Sequence, residues 1–569
     1  MKERIINLYD KTNEANALLD FVIDKSKNSK SLSWQKKSKG QFYTHEFIAE
    51  KLIRDMIKRL ENMEHKNNIS VIDPFCGDGR LIQIFLKEIS MLDEFKETKF
   101  YLHCWDIDED SVTVAVENIT EVASKYELDV LVEGRVCDSF TYAGDYANQF
   151  DICLTNPPWL IVKPSKRETE LLSHEEYLEY IQVLRDLDDL LSRYYPLSMP
   201  SKKFAGWGTN LARCGTELSL MLIKNNGTCG LVSPASLIGD QVSANLRKWI
   251  FEEFSVKTIA YYVAEAKLFG KVDQDAITMI LTKEDDKKTC PILTYYNKDL
   301  SPTIYNMSEI QWEQIKKENY VIPIQFGFQI IEMNELFSAL SSMRDLELDN
   351  LIWMGREIDE TKIDTKLSNL GKYPFIKGKM VDRYKFNIEI NRYLDDRKFD
   401  KLPNSIKFER IIWRDVSRMS QKRRMIATII PPSYVTGNSL HVLYSIAENS
   451  NLLRALLAIM NSLIFEAQVR ASSATNHVSL GIVRSTKVPT IGEDQMEKLS
   501  QMVENSIENQ IQLEVYIAYL YGLSYEQFLS ILTMFDKLTI SEKEALEQEA
   551  FKVLRSVNIN DTKSCIVKS

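Results

Sequence analysis

Between Val71 and Leu154 the chain repeats one pattern four times: a short apolar run that ends in a polar residue. Val71-Ile72 runs into Asp73, Phe100 to Trp105 into Asp106, Val130 to Val136 into Asp138, and Asp151 to Leu154 into Asn156. Helical-period segments follow the first two runs. Buried strands alternating with helices call for a mostly parallel sheet covered on both faces, so the predicted fold class is α/β. In such sheets ligands bind outside the carboxyl ends of the strands, and the four polar tips converge there.

The chemistry of those tips narrows the ligand. Val71-Ile72-Asp73-Pro74-Phe75-Cys76-Gly77-Asp78-Gly79-Arg80-Leu81 reads strand, glycine turn, helix. Gly77 and Gly79 let the backbone approach a ligand ahead of a helix N-terminus. The third glycine of a dinucleotide fingerprint is absent, and an acid stands at the strand tip. Such an acid suits the ammonium and sulfonium of S-adenosyl-L-methionine better than a pyrophosphate. Asp106 stands where doubly wound cofactor domains place the ligand of the ribose hydroxyls, while Asp108 reads as a helix cap.

Asn156-Pro157-Pro158-Trp159 reads as a rigid loop leaving the fourth strand. Pro158 removes a donor and fixes the turn, so the Pro157 carbonyl points outward. Two oxygens, from the Asn156 amide and the Pro157 carbonyl, then lie beside the face of Trp159. Two acceptors and a stacking plate suit a planar group bearing an amino group, and adenine is one. Accepting both N6 hydrogens localises the nitrogen lone pair for attack on a methyl donor. The plain alternative is a Pro-rich turn after a strand.

These segments together resemble the motifs of the gamma class of N6-adenine DNA methyltransferases, TaqI-like and of restriction-modification type. Asn156 to Trp159 resembles motif IV, and Asp73 to Gly79 resembles motif I. Gly40-Gln41-Phe42-Tyr43-Thr44 resembles motif X, with His45 where that family has Pro. The resemblance implies a Rossmann-like S-adenosylmethionine-dependent methyltransferase domain with a mostly parallel seven-stranded sheet. An α+β target-recognition domain and a helical C-terminal tail would follow it. It places Asn156, Pro157, Pro158 and Trp159 at the transfer site, with Phe269 on the second face of a flipped base. It gives S-adenosyl-L-methionine to Tyr43, Thr44, Asp73, Gly77, Asp78, Gly79, Asp106 and Asp138, the last accepting from the cofactor's adenine. Phe269 also reads as a core residue before a strand.

The expected boundaries are 1–38 for a helical leader, 39–330 for the catalytic domain, 345–490 for the recognition domain and 491–569 for a helical C-terminal region. Residues 283 to 345 read as a bridge. The insertion from Ile161 to Asn210 reads equally as a solvated helical excursion or a DNA-facing arm. From Lys372 to Arg424 the charge balance changes: sixteen basic residues stand against seven acids in a chain of net charge −10. Interleaved aromatics accompany them, which favours contact with duplex DNA.

A length of 569 residues implies more than one core. The eight cysteines form no Cys-x-x-Cys pair and the six histidines no metal-ligand spacing, so a reduced compartment and no metal are expected. No apolar run reaches the ~18 residues of a membrane span, and the charged start lacks a signal core. A bacterial cytosol or nucleoid is the expected location, and a monomer suffices. The leader is too short for a fused nuclease, while a separate restriction endonuclease is compatible. Cytosine N4, RNA, a protein glutamine amide and a silent DNA-specificity module are the rival readings.

Overall fold

The structure, a computed structural model, describes residues 4–8, 44–60, 67–164, 172–200, 207–270, 274–284, 290–317, 319–323, 328–359, 367–386, 392–394, 402–418, 421–473, 476–505 and 509–555. The chain divides into two compact units, Met1–Val321 and Ile322–Ser569.

The first unit is built on a ten-stranded sheet. Its strands are β1 (Arg4–Leu8), β2 (Asn68–Asp73), β3 (Lys99–Asp106), β4 (Val130–Val136), β5 (Phe150–Thr155), β6 (Ile223–Pro234), β7 (Ser255–Tyr262), β8 (Ala276–Thr282), β9 (Ile292–Tyr296) and β10 (Pro302–Asn306). Their spatial order is β1-β4-β3-β2-β5-β6-β8-β7-β9-β10. From β4 to β6 every neighbouring pair is parallel, and β8 runs antiparallel between β6 and β7. The expected seven-stranded sheet is the stretch from β4 to β7. It is extended by β1 at one edge and by β9 and β10 at the other.

Two expectations change here. Arg4–Leu8 lies in the presumed helical leader but forms a strand, parallel to β4. Its Ile5, Ile6 and Leu8 supply a short β-branched and apolar run, which an open edge can recruit. The bridge read from residue 283 contains β9 and β10, so the sheet continues to Asn306.

β2 is the pivot. The chain leaves it outward through β3 and β4, then returns to β5 on its other side. That reversal opens a crevice at the carboxyl ends of β2 and β5. Helices α1 (Glu46–Leu60), α2 (Arg80–Ile89) and α3 (Glu109–Lys125) cover the sheet with Leu52, Ile82, Phe85, Ala115 and Ile119 in one core. In the insertion, α4 (His174–Tyr194) opens with a capping box between Ser173 and Glu176. Its exposed residues include Glu175, Glu176, Glu179, Asp186 and Asp189, so this helix presents acid to solvent. The solvated reading fits it; Lys166, Arg167, Lys202 and Lys203 lie outside the described residues. Next, α5 (Leu211–Leu222) packs against β5 and β6.

The second unit is α+β. Its main sheet has the order β11 (Ile352–Gly355), β14 (Leu440–Ser445), β12 (Arg410–Arg414), β13 (Ala427–Ile430). One face, with Ile411, Trp413 and Leu443, joins a helical core that includes α6 (Ser450–Met460) and α7 (Leu463–Ala471). The other face, with Ile412, Leu440 and Val442, packs on Ile376 and Val381. The single helix expected over 452–466 is thus two helices, bent by 60° where Asn461 ends one and Ser462 caps the next. The helices after residue 491 belong to the same core through Leu499, Leu513, Phe528 and Leu546. Among the described residues no single helix is long and apolar enough to cross a membrane.

Candidate active site at the strand tips

The tips of β2, β3 and β4 are stitched together by backbone. The Cys76 amide donates to the Trp105 carbonyl at 2.9 Å, and the Cys137 amide to the Asp106 carbonyl at 2.9 Å. Gly77 (φ 50°) and Gly79 (φ 76°) occupy left-handed conformations that form the turn between β2 and α2. Gly79 is also a contact point: a Cβ there would lie 3.0 Å from both Ala115 and Ile119 of α3.

Asp73, Asp106 and Asp138 gather around this turn. Asp73 is buried and accepts from the Phe75 amide at 3.1 Å. Asp106 accepts from the Gly77 amide at 2.9 Å and from the Asp108 amide at 3.0 Å. Asp138 is buried and accepts from the Phe140 amide at 3.0 Å. Among the described residues none of the three has an ion-pair partner. Burial therefore dominates: it pushes Asp73 well above the usual carboxylate range, with Asp106 and Asp78 adding like charge. It raises Asp106 as well, and brings Asp138 up to about 6. By contrast Asp151, at the opposite end of β5, is paired with Lys224 at 3.1 Å and Ser70 at 2.7 Å.

Asp78 and Asp108 serve the scaffold. The Asp78 carboxylate pairs with Arg80 at 2.9 Å, and Arg80 also donates to the Thr44 carbonyl at 2.9 Å. Asp108 caps α3 through the Ser111 amide. Arg80, which sequence reasoning did not single out, ties the segment before α1 to the glycine turn. His45 precedes α1, and its ring accepts from the Phe47 amide at 3.2 Å and caps the helix. Thr44 accepts a hydrogen bond from Asn156 Nδ2 at 3.1 Å. Tyr43 lies outside the described residues.

Asn156 follows the last residue of β5, on the other side of the crevice. The bond to Thr44 fixes the plane of its amide and sends the amide oxygen to the opposite side. Pro157 is buried against α5: a Cβ at Gly215 would meet the Pro157 ring at 2.5 Å and Phe75 at 3.1 Å. Gly215 is a second residue that sequence reasoning missed. An isolated glycine inside an apolar helix was the available signal for close approach. Pro158 accepts from the Leu160 amide at 3.1 Å and closes the loop.

Trp159 and Phe269 are brought together from distant parts of the chain, with ring centroids 4.6 Å apart and a 45° tilt. A ring stacked between two others needs roughly 7 Å, twice the optimal carbon separation. The two rings here rest on each other. Phe269 sits on a turn held by buried Asp275, which accepts from the Ala264 amide at 2.8 Å and from the Tyr261 hydroxyl.

Residues 29–184 match the model of the N-6 DNA Methylase family. The matched residues lie in the first unit. They span α1 to α4 and hold every strand-tip residue except Phe269, which lies beyond them. No curated protein matches the chain. Among solved structures, the type IIG restriction endonuclease BpuSI is 12% identical, with 95% of this chain and 68% of that chain covered and a TM-score of 0.41. A DrdV-DNA complex is 10% identical, covers 87% and 60%, and has a TM-score of 0.46. A nuclease-deletion mutant of the type ISP restriction-modification enzyme LlaGI, in complex with a DNA substrate mimic, is 12% identical, covers 86% and 57%, and has a TM-score of 0.45. The methyl donor is S-adenosyl-L-methionine, and the donor set fits it. Asp73 and Asp138 are buried and Asp106 half-buried, with no counter-ion among the described residues, and the left-handed turn at Gly77 gives a ligand access to backbone.

The second unit revises the reading of its basic stretch. Arg410 and Arg424 are fully buried, and Arg423 and Arg383 nearly so. Arg410 pairs with Glu357 at 2.8 Å, Arg423 with Glu466 at 2.7 Å and Glu514 at 3.0 Å, and Arg383 with Glu514 at 3.2 Å. These acids lie outside Lys372–Arg424, so a local charge count could not see them. The exposed cations are Lys372, Lys379, Lys385, Arg392, Lys407, Arg418 and Lys422, and Lys422 pairs with Glu542. Arg397, Lys398 and Lys401 lie outside the described residues.

Proposed function

We propose that this chain methylates adenine N6 in duplex DNA at a specific sequence, with S-adenosyl-L-methionine as donor, as the modification enzyme of a restriction-modification system. The observation that carries the reading is the Asn156 amide, held by Thr44 across the crevice from the carboxylates of Asp73, Asp106 and Asp138. Asp73, Asp106, Asp138, Gly77 and Gly79 hold the cofactor, with Thr44 at its methionine end. When bound, the cofactor supplies an electrophilic methyl group. Asn156 and the Pro157 carbonyl accept the two N6 hydrogens and leave the nitrogen lone pair directed at that methyl. Pro157 is kept in place by Gly215 and Phe75 beneath it. Trp159 stacks on the extruded base, and Phe269 takes its second face once the two rings separate, which offsets part of the few kcal/mol that flipping costs. N6 loses its proton to solvent after transfer. Positioning and local dipoles do this work without a strong general base. The second unit reads as the target-recognition part, with its exposed cations meeting phosphates.

Transfer of labelled methyl to unmethylated duplex DNA, followed by digestion to nucleosides, tests this. Label should appear in N6-methyladenosine. Asn156→Ala should lower the rate by about 10²- to 10³-fold, the scale for removing one oriented polar group at a reacting centre. Cofactor binding should persist in that variant. Label in N4-methylcytidine, or transfer to RNA or protein alone, would replace adenine in DNA as the acceptor.

A further inference from the structure

Asp415 follows the last residue of β12 and organises a polar cluster apart from the strand-tip site. Its Oδ1 lies 3.0 Å from His441 Nε2, and its Oδ2 lies 3.1 Å from His477 Nδ1 and 3.3 Å from Arg356 Nη2. His441 Nδ1 in turn accepts from Arg356 Nε at 3.3 Å. The backbone fixes this arrangement: the Ser417 amide donates to Asn476, the Val478 amide to Asp415, and Val416 forms a β-bridge with His477. His441 and Asp415 are buried, while the side chains of His477 and Arg356 are 56% and 37% exposed. Val416, beside His477 across the bridge, is also exposed, as is Arg418.

Two imidazoles and a carboxylate suggest a metal, but the geometry excludes one. Both imidazoles aim a nitrogen at the carboxylate, Arg356 fills the remaining side, and among the described residues no group could hold an ion. The cluster makes better sense as a charge balance. The Asp415 charge is met by Arg356, so protonating His477 takes the group from neutral to singly positive at the surface.

We propose that His477, with Arg356, contacts a backbone phosphate of bound duplex DNA, and that protonation of His477 strengthens the contact. The inference rests on the DNA-binding reading of the second unit and adds a site and a pH dependence to it. Each neighbour has a stated part. The hydrogen bond to Asp415 raises His477 above the ordinary imidazole range, against burial and the opposing charges of Arg356 and Arg424. Burial lowers His441, which stays neutral as a donor to Asp415. Asp415 feels burial as an upward push, but its two imidazole partners outweigh it and hold it ionised. Within the cluster His477 is therefore the group poised to gain charge as pH falls, and it is cationic on the acid side.

Anisotropy titrations of the full chain on unmethylated duplex DNA, at pH 6.0 and 8.5 over a salt series, test this. The native chain should bind more tightly at pH 6.0. His477→Gln should abolish most of that gain, a loss of about tenfold, the scale of one charge-assisted hydrogen bond. It should also reduce the salt slope at pH 6.0 by about one. Asp415→Asn should shift the rise in affinity to lower pH, a change that a merely structural role would not produce. An unchanged pH response and salt slope in His477→Gln, with native DNA binding intact, would overturn the phosphate contact and leave the methyltransferase reading standing. Absence of DNA binding by the native chain at both pH values would overturn the two together.

Discussion

Both units bury carboxylates, and they treat them in opposite ways. In the first unit Asp73 and Asp138 are buried and Asp106 half-buried at strand tips, with backbone amides as partners and no counter-ion among the described residues, and desolvation raises all three. In the second unit burial pushes Glu466 up too, but Arg423 and Arg470 outweigh it and hold it down at about 2. The second arrangement is complete in itself. The first lacks a positive charge that folding does not supply. Buried charge with a partner belongs to the fold, whereas a cluster of acids without one at the carboxyl ends of parallel strands is where a ligand is expected.

The largest test of that contrast removes one carboxylate from each unit. Glu466 accepts from Arg423, Arg470 and the Arg424 amide, so Glu466→Ala takes the carboxylate from Arg470 and leaves Arg423 with Glu514 alone. The expected cost is about 3–5 kcal/mol, and roughly 10 °C in the melting temperature of the second unit. Asp73→Asn removes a charge that is costly in the ligand-free state. Its melting temperature should be equal to native or higher, while calorimetry shows cofactor affinity lost. Equal destabilisation by the two substitutions would erase the contrast.

A smaller effect is expected at Gly215. Replacing an interior helical glycine by alanine ordinarily gains up to about 1 kcal/mol. Here the added methyl meets the rigid Pro157 ring at 2.5 Å. Gly215→Ala should instead cost about 1–3 kcal/mol by overpacking, or displace the Asn156–Trp159 loop. Thermal melts read the first outcome, and a fall in kcat with cofactor affinity retained reads the second. A more stable, fully active variant would show that α5 does not support the loop.

Much of the first unit was legible in the chain because its signals are local. Each strand announces itself by apolar residues and each tip by an acid, a glycine or Asn156, so sheet order and crevice follow from pattern and chirality. What was not legible depends on contacts across sequence. Arg80 reaching the Thr44 carbonyl, Gly215 beneath Pro157 and Asp275 beneath the Phe269 turn have no local signature of their role. His45 caps α1 because an imidazole nitrogen can accept an amide as a hydroxyl can. The second unit was harder still: its arginines read as a DNA-facing surface, and their partners, Glu357, Glu466 and Glu514, lie far away in sequence. A composition count weighs exposed and buried charge alike.

Acid should separate the two units, by a modest amount and with opposite signs. Asp138 is raised to about 6 in the folded state, so between about pH 6 and 4 the folded chain takes up a proton that the unfolded chain does not. Stability of the ligand-free first unit therefore rises as pH falls through that window, and Asp73 and Asp106, raised by the same cause, act in the same direction. Glu466 is depressed to about 2, so its contribution is fully present above its ordinary value and is lost only as pH falls from about 4.5 towards 2. Hydrogen exchange on the full chain, corrected for intrinsic rates, reads the units separately. From pH 7 to 5, protection in β2–β5 should increase while protection in α6 and α7 stays constant. Cofactor affinity should fall over the same interval, because a protonated Asp138 is a neutral and weaker acceptor for an amino group, and Asp138→Asn should flatten most of that dependence. Parallel loss of protection in both units would mean that the strand-tip carboxylates are charged and satisfied without a ligand, and the case for a cation-seeking crevice would fail with it.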